Sequence, residues 1–126
     1  MYYQVFSRFY RKAAQKMVVE CERFIPQKAK ILDLGCGSGV VGQEFQTKFR
    51  ADLIGVDVKD LRVVPIKFEL IKNSKLSFPD NFFDVVLINF VLHHADYPVD
   101  LLKEAVRVTN NKIIIYEDLP EGFFQS

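Results

Sequence analysis

The sequence has no tryptophan and only two cysteines, Cys21 and Cys36. That is too few for a disulfide framework or a thiolate metal site. Free thiols suit a reducing compartment, so a cytoplasmic protein is expected. No apolar run comes near the roughly 20 residues that a membrane span needs. Arg8, Arg11, Lys12 and Lys16 break up the first segment, which therefore lacks a signal-peptide core. Neither sign of charge dominates: the formal net charge is +1, and Lys and Arg are scattered rather than blocked. Neither a nucleic-acid face nor a membrane-surface patch is expected from such a balance. The two histidines, His93 and His94, are adjacent and have no third ligand at suitable spacing, so no metal site is expected.

Nearly half of the 126 residues are hydrophobic and twelve are Phe, enough to bury a core. No repeat, low-complexity stretch or linker divides the chain, so residues 1–126 read as one domain. Val5, Phe6, Phe9, Tyr10, Ala13, Met17, Val18, Cys21 and Phe24 recur at helical spacing and predict an amphipathic helix ended by Pro26. Five short apolar runs follow, at 30–35, 52–58, 66–71, 83–90 and 111–118, with little polar alternation. Such runs suit strands covered on both faces. Val40, Val41, Phe45 and Phe49 predict a helix after the first strand, and Leu101, Leu102, Ala105, Val106 and Val108 one before the fifth. Segment 59–65 is short and holds Pro65, leaving room for a helical turn or two. The expected fold is α/β: a doubly wound, mainly parallel Rossmann-like sheet, ordered 3-2-1-4-5, with helices on both faces.

In that fold a ligand sits where the winding reverses, beyond the carboxyl ends of strands 1 and 4. "GCGSG" (35–39) and "NFVLHH" (89–94) should face each other there. Gly35, Gly37 and Gly39 read as G-x-G-x-G; Gly37, Gly39 and Gly42 read as G-x-G-x-x-G, the dinucleotide fingerprint. Both patterns find Asp57 about 20 positions on, a carboxylate suited to the two hydroxyls of a ribose. Asp33 adds negative charge near the strand's end. It suits a sulfonium or ammonium group better than a pyrophosphate. No Tyr is followed four positions later by Lys, as a short-chain dehydrogenase would show, and no second mononucleotide-binding half is present.

With "ILDLGCGSG", "LIGVDV", "LSFPDNFFDVVLINFVLHHADYP", "LLKEAVRV" and "KIIIYED" in this order, residues 28–118 resemble the class I S-adenosylmethionine-dependent methyltransferases. The small-molecule enzymes of the quinone-biosynthesis type are the most similar. The resemblance implies S-adenosylmethionine as cofactor and methyl transfer to a small-molecule acceptor. It implies that Gly35, Cys36, Gly37 and Gly39 pass the cofactor's methionine and ribose, with Cys36 a small filler. Asp33 would attract the ammonium end through water or backbone, Asp57 would take the ribose hydroxyls, and Val58 would pack on adenine. Asn89 would hold the amino group with its backbone carbonyl.

Two departures stand out. "IKNSKLSF" places Lys72 and Asn73 where the family often reads the adenine edge with an acidic residue. Asn73 offers an amide there, but Lys72 has no acceptor. The family's sheet is completed by an antiparallel hairpin after strand 5, whereas this chain ends at "LPEGFFQS". Truncation is the first expectation; a partner or second copy covering the strand 5 edge is the other. His93 or His94 is the candidate catalytic base, set against a histidine that only fills the loop; Glu117 and Asp118 end strand 5 near the same rim. A non-catalytic module that binds cofactor or a partner is the alternative function, and a nicotinamide-dependent oxidoreductase ranks third.

Overall fold

Ala14, Met17, Val18 and Cys21, spaced three and four apart, are buried along one side of α1 (Tyr2–Cys21). The computed structural model describes residues 2–89 and 98–116, with backbone alone for 2–10 and 89. Helix α1 stops earlier than the sequence pattern suggests, and Glu22–Phe24 tighten into a 3-10 turn. Pro26 supplies the reason, because it forces the residue before it out of the helical region. Ile25 is accordingly extended, at φ −119° and ψ 117°.

From there the chain alternates strand and helix: β1 (Lys30–Leu34), α2 (Val40–Phe49), β2 (Asp52–Asp57), β3 (Lys67–Leu70), β4 (Phe83–Asn89), α3 (Pro98–Val108) and β5 (Thr109–Tyr116). All four strand pairings are parallel and the order is β3-β2-β1-β4-β5, as the apolar runs imply. Alternate residues of the central strands serve opposite layers. Ile31, Val85 and Leu87 meet α1 and α2 through Met17, Val18, Phe45 and Phe49. Leu32, Leu34, Val86 and Ile88 meet α3 through Leu101, Ala105 and Val108. Arg11 of α1 donates to Glu44 and Gln43 of α2, which locks the two helices on one face together. No helix among the described residues is long and apolar enough to cross a membrane.

The connection from β2 to β3 contains no helical turn, contrary to the sequence expectation. Arg62 organises it instead. Its guanidinium donates to both carboxylate oxygens of Asp60 and to the Ile66 carbonyl, and it stacks over the Phe68 ring at 4.8 Å. Three contacts from one planar cation hold the loop without a helix's backbone ladder. Strand β5 begins directly after Val108, two residues before the expected start, and the Thr109 hydroxyl donates back to the Ala105 carbonyl of α3.

A second arginine holds the loop between β3 and β4. Arg107 on α3 donates to Glu104, to Asp80 and to the Leu76 and Phe78 carbonyls, while Glu104 accepts the Leu76 N–H at 2.9 Å. Arg107 beside Glu104 holds its carboxyl below the usual glutamate range. A carboxyl with a lowered folded-state pKa stabilises the fold above its unfolded value, and that stabilisation is lost as pH falls. The urea midpoints of wild type and Glu104→Gln should therefore differ at neutral pH and converge as pH falls below the ordinary glutamate range. A difference that persists unchanged into acid would show that the clasp is not ionic.

Candidate functional site

Leu34 ends β1 and the backbone then turns through three left-handed glycines, Gly35 at φ 77°, Gly37 at 51° and Gly39 at 85°, before α2 begins at Val40. Side-chain-bearing residues rarely adopt these values, which explains the composition of the turn. Two backbone donors fasten it to β2: the N–H groups of Gly35 and Cys36 both reach the Val56 carbonyl, at 2.8 and 3.0 Å. The Gly39 N–H closes the turn on the Cys36 carbonyl at 2.9 Å.

The glycines differ in what surrounds them. A Cβ on Gly39 would stand 2.9 Å from Val64 Cγ2, and one on Gly42 would stand 2.6 Å from Asp33 Oδ2. Those two positions are bare so that the β2–β3 loop and β1 can pack against them. A Cβ on Gly37 would meet nothing within 4 Å. Gly37 therefore faces open space, and a ligand is what could use its bare backbone.

Asp57, the last residue of β2, stands beside that opening. Its Oδ2 accepts the Gly37 N–H at 2.9 Å and its Oδ1 accepts the Val58 N–H at 2.7 Å. Each oxygen keeps capacity for one further donor, and the half-buried carboxylate is reachable from solvent. Val58 follows it with 69% of its surface exposed. Parallel pairing sets Leu34 against Ile88, so the backbone of Asn89 lies one step further along, at the level of the glycine turn.

Asp33, two residues before the first glycine of the turn, lies inside the fold. It is 1% exposed, beneath the turn and against Gly42 in the first turn of α2. A carboxylate there is favoured by the helix's positive end. Its effect on a ligand would pass through the loop and not by direct contact. Cys36 is buried, and burial, with the Asp33 and Asp57 carboxylates adding to it, pushes its thiol up to about 12. At neutral pH it is an uncharged filler and no nucleophile. Asn73 is exposed in a tight turn, at φ 55° with Ser74 at 56°, and the Lys75 N–H returns to the Lys72 carbonyl at 3.1 Å. The left-handed region favours Asn over most side-chain-bearing residues, so the turn itself accounts for an Asn at this point.

His93 and His94, like Glu117 and Asp118, lie outside the described residues. Among the described residues no group of three His, Cys, Asp or Glu could hold a metal ion. Gly55 is the position that motif reading overlooked. A Cβ there would stand 2.8 Å from both Cβ and Sγ of Cys36, so a bare residue in mid β2 is what lets the glycine turn sit down on the sheet. A glycine inside an apolar strand run was the available signal.

Comparison with known proteins agrees with this geometry. A family model described as "Methyltransferase domain" matches residues 32–115, which takes in the turn, Asp57 and both halves of the sheet. An uncharacterized protein of Methanocaldococcus jannaschii is 36% identical over 96 residues, covering 75% of this chain and 46% of its own. An uncharacterized methyltransferase of Schizosaccharomyces pombe is 31% identical over 106 residues, 69% of this chain and 38% of its own. The chain thus spans less than half the length of these relatives. Among solved structures, a SAM-dependent methyltransferase from Archaeoglobus fulgidus superposes with a TM-score of 0.75 at 21% identity, over 95% of this chain and 60% of that one. A Haloferax volcanii methyltransferase solved in complex with the activator Trm112 superposes at 0.60 and 21% identity, over 68% of this chain and 42% of that one.

Proposed function

The chain belongs to the methyltransferase domain family, and from that membership we propose that it binds S-adenosylmethionine and that its activity is methyl transfer to a small-molecule acceptor. The observation that carries this reading is the opening over Gly37, with the Asp57 carboxylate fixed at its edge. Asp57 would accept the two ribose hydroxyls with its remaining lone pairs, and exposed Val58 would cover one face of the adenine. The bare turn at Gly35, Gly37 and Gly39 would let the methionine portion lie against backbone, and the Asn89 carbonyl would accept from its amino group. Asp33 would act from below, as a buried negative charge under the loop. Two carboxylates close to the turn oppose a pyrophosphate and suit a cation, which disfavours a nicotinamide dinucleotide.

When bound, the cofactor supplies a methyl group already activated by sulfonium. What remains for the protein is alignment, together with a base where the acceptor is a poor nucleophile. His93 or His94 is proposed for that role. Asn73 and Lys72, on the turn after β3, are proposed to border the adenine. A second reading is a module that binds cofactor or a partner without turnover; only its partner half draws support from the Haloferax neighbour, which was solved with a methyltransferase activator.

Titration calorimetry with S-adenosylhomocysteine tests the reading. One site per folded chain is expected, with no heat from NAD or NADH. Absence of S-adenosylhomocysteine binding by folded protein would overturn the cofactor assignment. Binding without turnover on any acceptor would favour the second reading.

A further inference from the structure

The glycine turn is tied down unequally. Its first half is fastened to the sheet, by the Gly35 and Cys36 N–H groups on the Val56 carbonyl and by the Gly37 N–H on Asp57. Its second half, Ser38 and Gly39, leans on the connection between β2 and β3. The Ser38 carbonyl accepts the Val63 N–H at 2.9 Å, and Val64 and Ile66 pack where a Cβ on Gly39 would stand. Residues 58–66 thus form a strap against the second half of the turn, and the strap begins at Val58.

Little apart from Arg62 gives that strap a single shape. Of residues 58–66, all but Val64 and Ile66 are exposed. Fixing exposed backbone costs conformational entropy at every residue, and two apolar anchors offset only part of it. Segments with so few buried contacts are the first to open. Arg62 joins the two ends. Its Nε and Nη2 donate to the two Asp60 carboxylate oxygens at 2.8 and 2.7 Å, and its Nη1 donates to the Ile66 carbonyl at 2.6 Å. Its face lies on the Phe68 ring of β3. Val63, which holds Ser38, stands between those ends. The Arg62 hydrogen bonds hold the Asp60 carboxyl down at about 2, so the clasp stays charged at any ordinary pH.

We propose that Arg62 is a positioning residue for the cofactor: it keeps the β2–β3 strap closed, so that Ser38 and Gly39 are in place before S-adenosylmethionine binds. This rests on the cofactor reading above and deepens it. A protein whose binding-competent form is only a fraction of the population binds more weakly by that fraction. Without Arg62 the ligand would have to order the strap itself, and its affinity would fall accordingly.

Calorimetric titration with S-adenosylhomocysteine, at a temperature where circular dichroism shows each variant folded, reads the effect. Arg62→Ala should raise the Kd about tenfold. Arg62→Lys keeps the charge but not the planar fork, so it should bind nearly as weakly as the alanine variant. Asp60→Asn loosens only the charged half of the clasp and should cost about threefold; it serves where Arg62→Ala does not fold. Amide exchange separates positioning from bulk stability. In free wild type the Val63 amide should exchange slowly. In free Arg62→Ala it should exchange fast, then slow again with saturating S-adenosylhomocysteine, while the Gly35 amide, held by β2, stays slow throughout. Acceleration of both amides together would show a general loss of stability and overturn the proposal. Wild-type affinity in folded Arg62→Ala, or in Asp60→Asn where the former does not fold, would overturn it and leave the cofactor reading intact, as would full recovery in Arg62→Lys. No binding by folded wild type would remove both.

Discussion

Gly55→Ala is expected to destabilise the protein by about 2–3 kcal/mol and to lower its melting temperature by about 10 °C. On propensity alone the change should help, since alanine surrenders less backbone entropy than glycine. Space reverses the sign. The new methyl would lie 2.8 Å from Cβ and Sγ of Cys36 and 2.9 Å from Ile66 Cδ1. Ile66 could turn the end of its side chain aside. The Cβ of Cys36 cannot turn, because it is fixed to the glycine turn's backbone, and that backbone is hydrogen-bonded to Val56 one residue from the substitution. Either the turn lifts from the sheet or β2 bows away from it. The strain is therefore specific, and removing the opposing atoms should relieve it: Gly55→Ala with Cys36→Gly should recover most of the lost stability. Differential scanning calorimetry of the two single variants and the double variant measures this coupling. Additive effects would mean that the two residues do not press on one another. Gly37→Ala is the control, since its methyl enters open space and bears only a left-handed backbone penalty of about 1 kcal/mol.

How much of this was legible in the sequence follows from how local each signal is. The sheet order was readable because β1 and β4 are apolar on both faces, and a parallel sheet buried between helices leaves few topologies. The glycine turn was readable for the same local reason: positive φ at three nearby positions admits little else. Pro26 already marked where the helical run ends, whereas in the coil between β2 and β3 a single residue outweighs the pattern. Pro26 acts back on Ile25, and Arg62 replaces a helical turn with side-chain bonds whose acceptors lie two and four residues away. The burial of Asp33 was out of reach. Its position at a strand's carboxyl end places it near the crevice, but only the approach of Gly42 shows that α2 closes over it. Gly55 and Cys36 sit on different elements 19 positions apart, and their contact appears only after the strand and the turn are laid together.

The same distinction between a residue's own chemistry and what leans on it governs Asp57→Ala. Loss of this carboxylate is expected to weaken S-adenosylhomocysteine binding by about 2–3 kcal/mol, or roughly 30- to 150-fold. Two effects combine. The ribose hydroxyls would lose charge-assisted acceptors, and the Gly37 N–H, now held by Oδ2 at 2.9 Å, would be left to water. Stability should change far less, because the carboxylate is half-buried and water can reach both released donors. Asp57→Asn separates the effects. Its amide oxygen can still accept from one hydroxyl or from Gly37, but not from all the donors that the carboxylate serves, so its affinity should fall between wild type and alanine. Calorimetric titration of the three proteins with S-adenosylhomocysteine and with adenosine supplies the measurement. The deficit should appear with both ligands, because the ribose is common to them. A loss confined to S-adenosylhomocysteine would move Asp57 to the methionine end of the site. Unaltered affinity in a folded alanine variant would remove it from the site altogether, leaving a residue that only braces the turn.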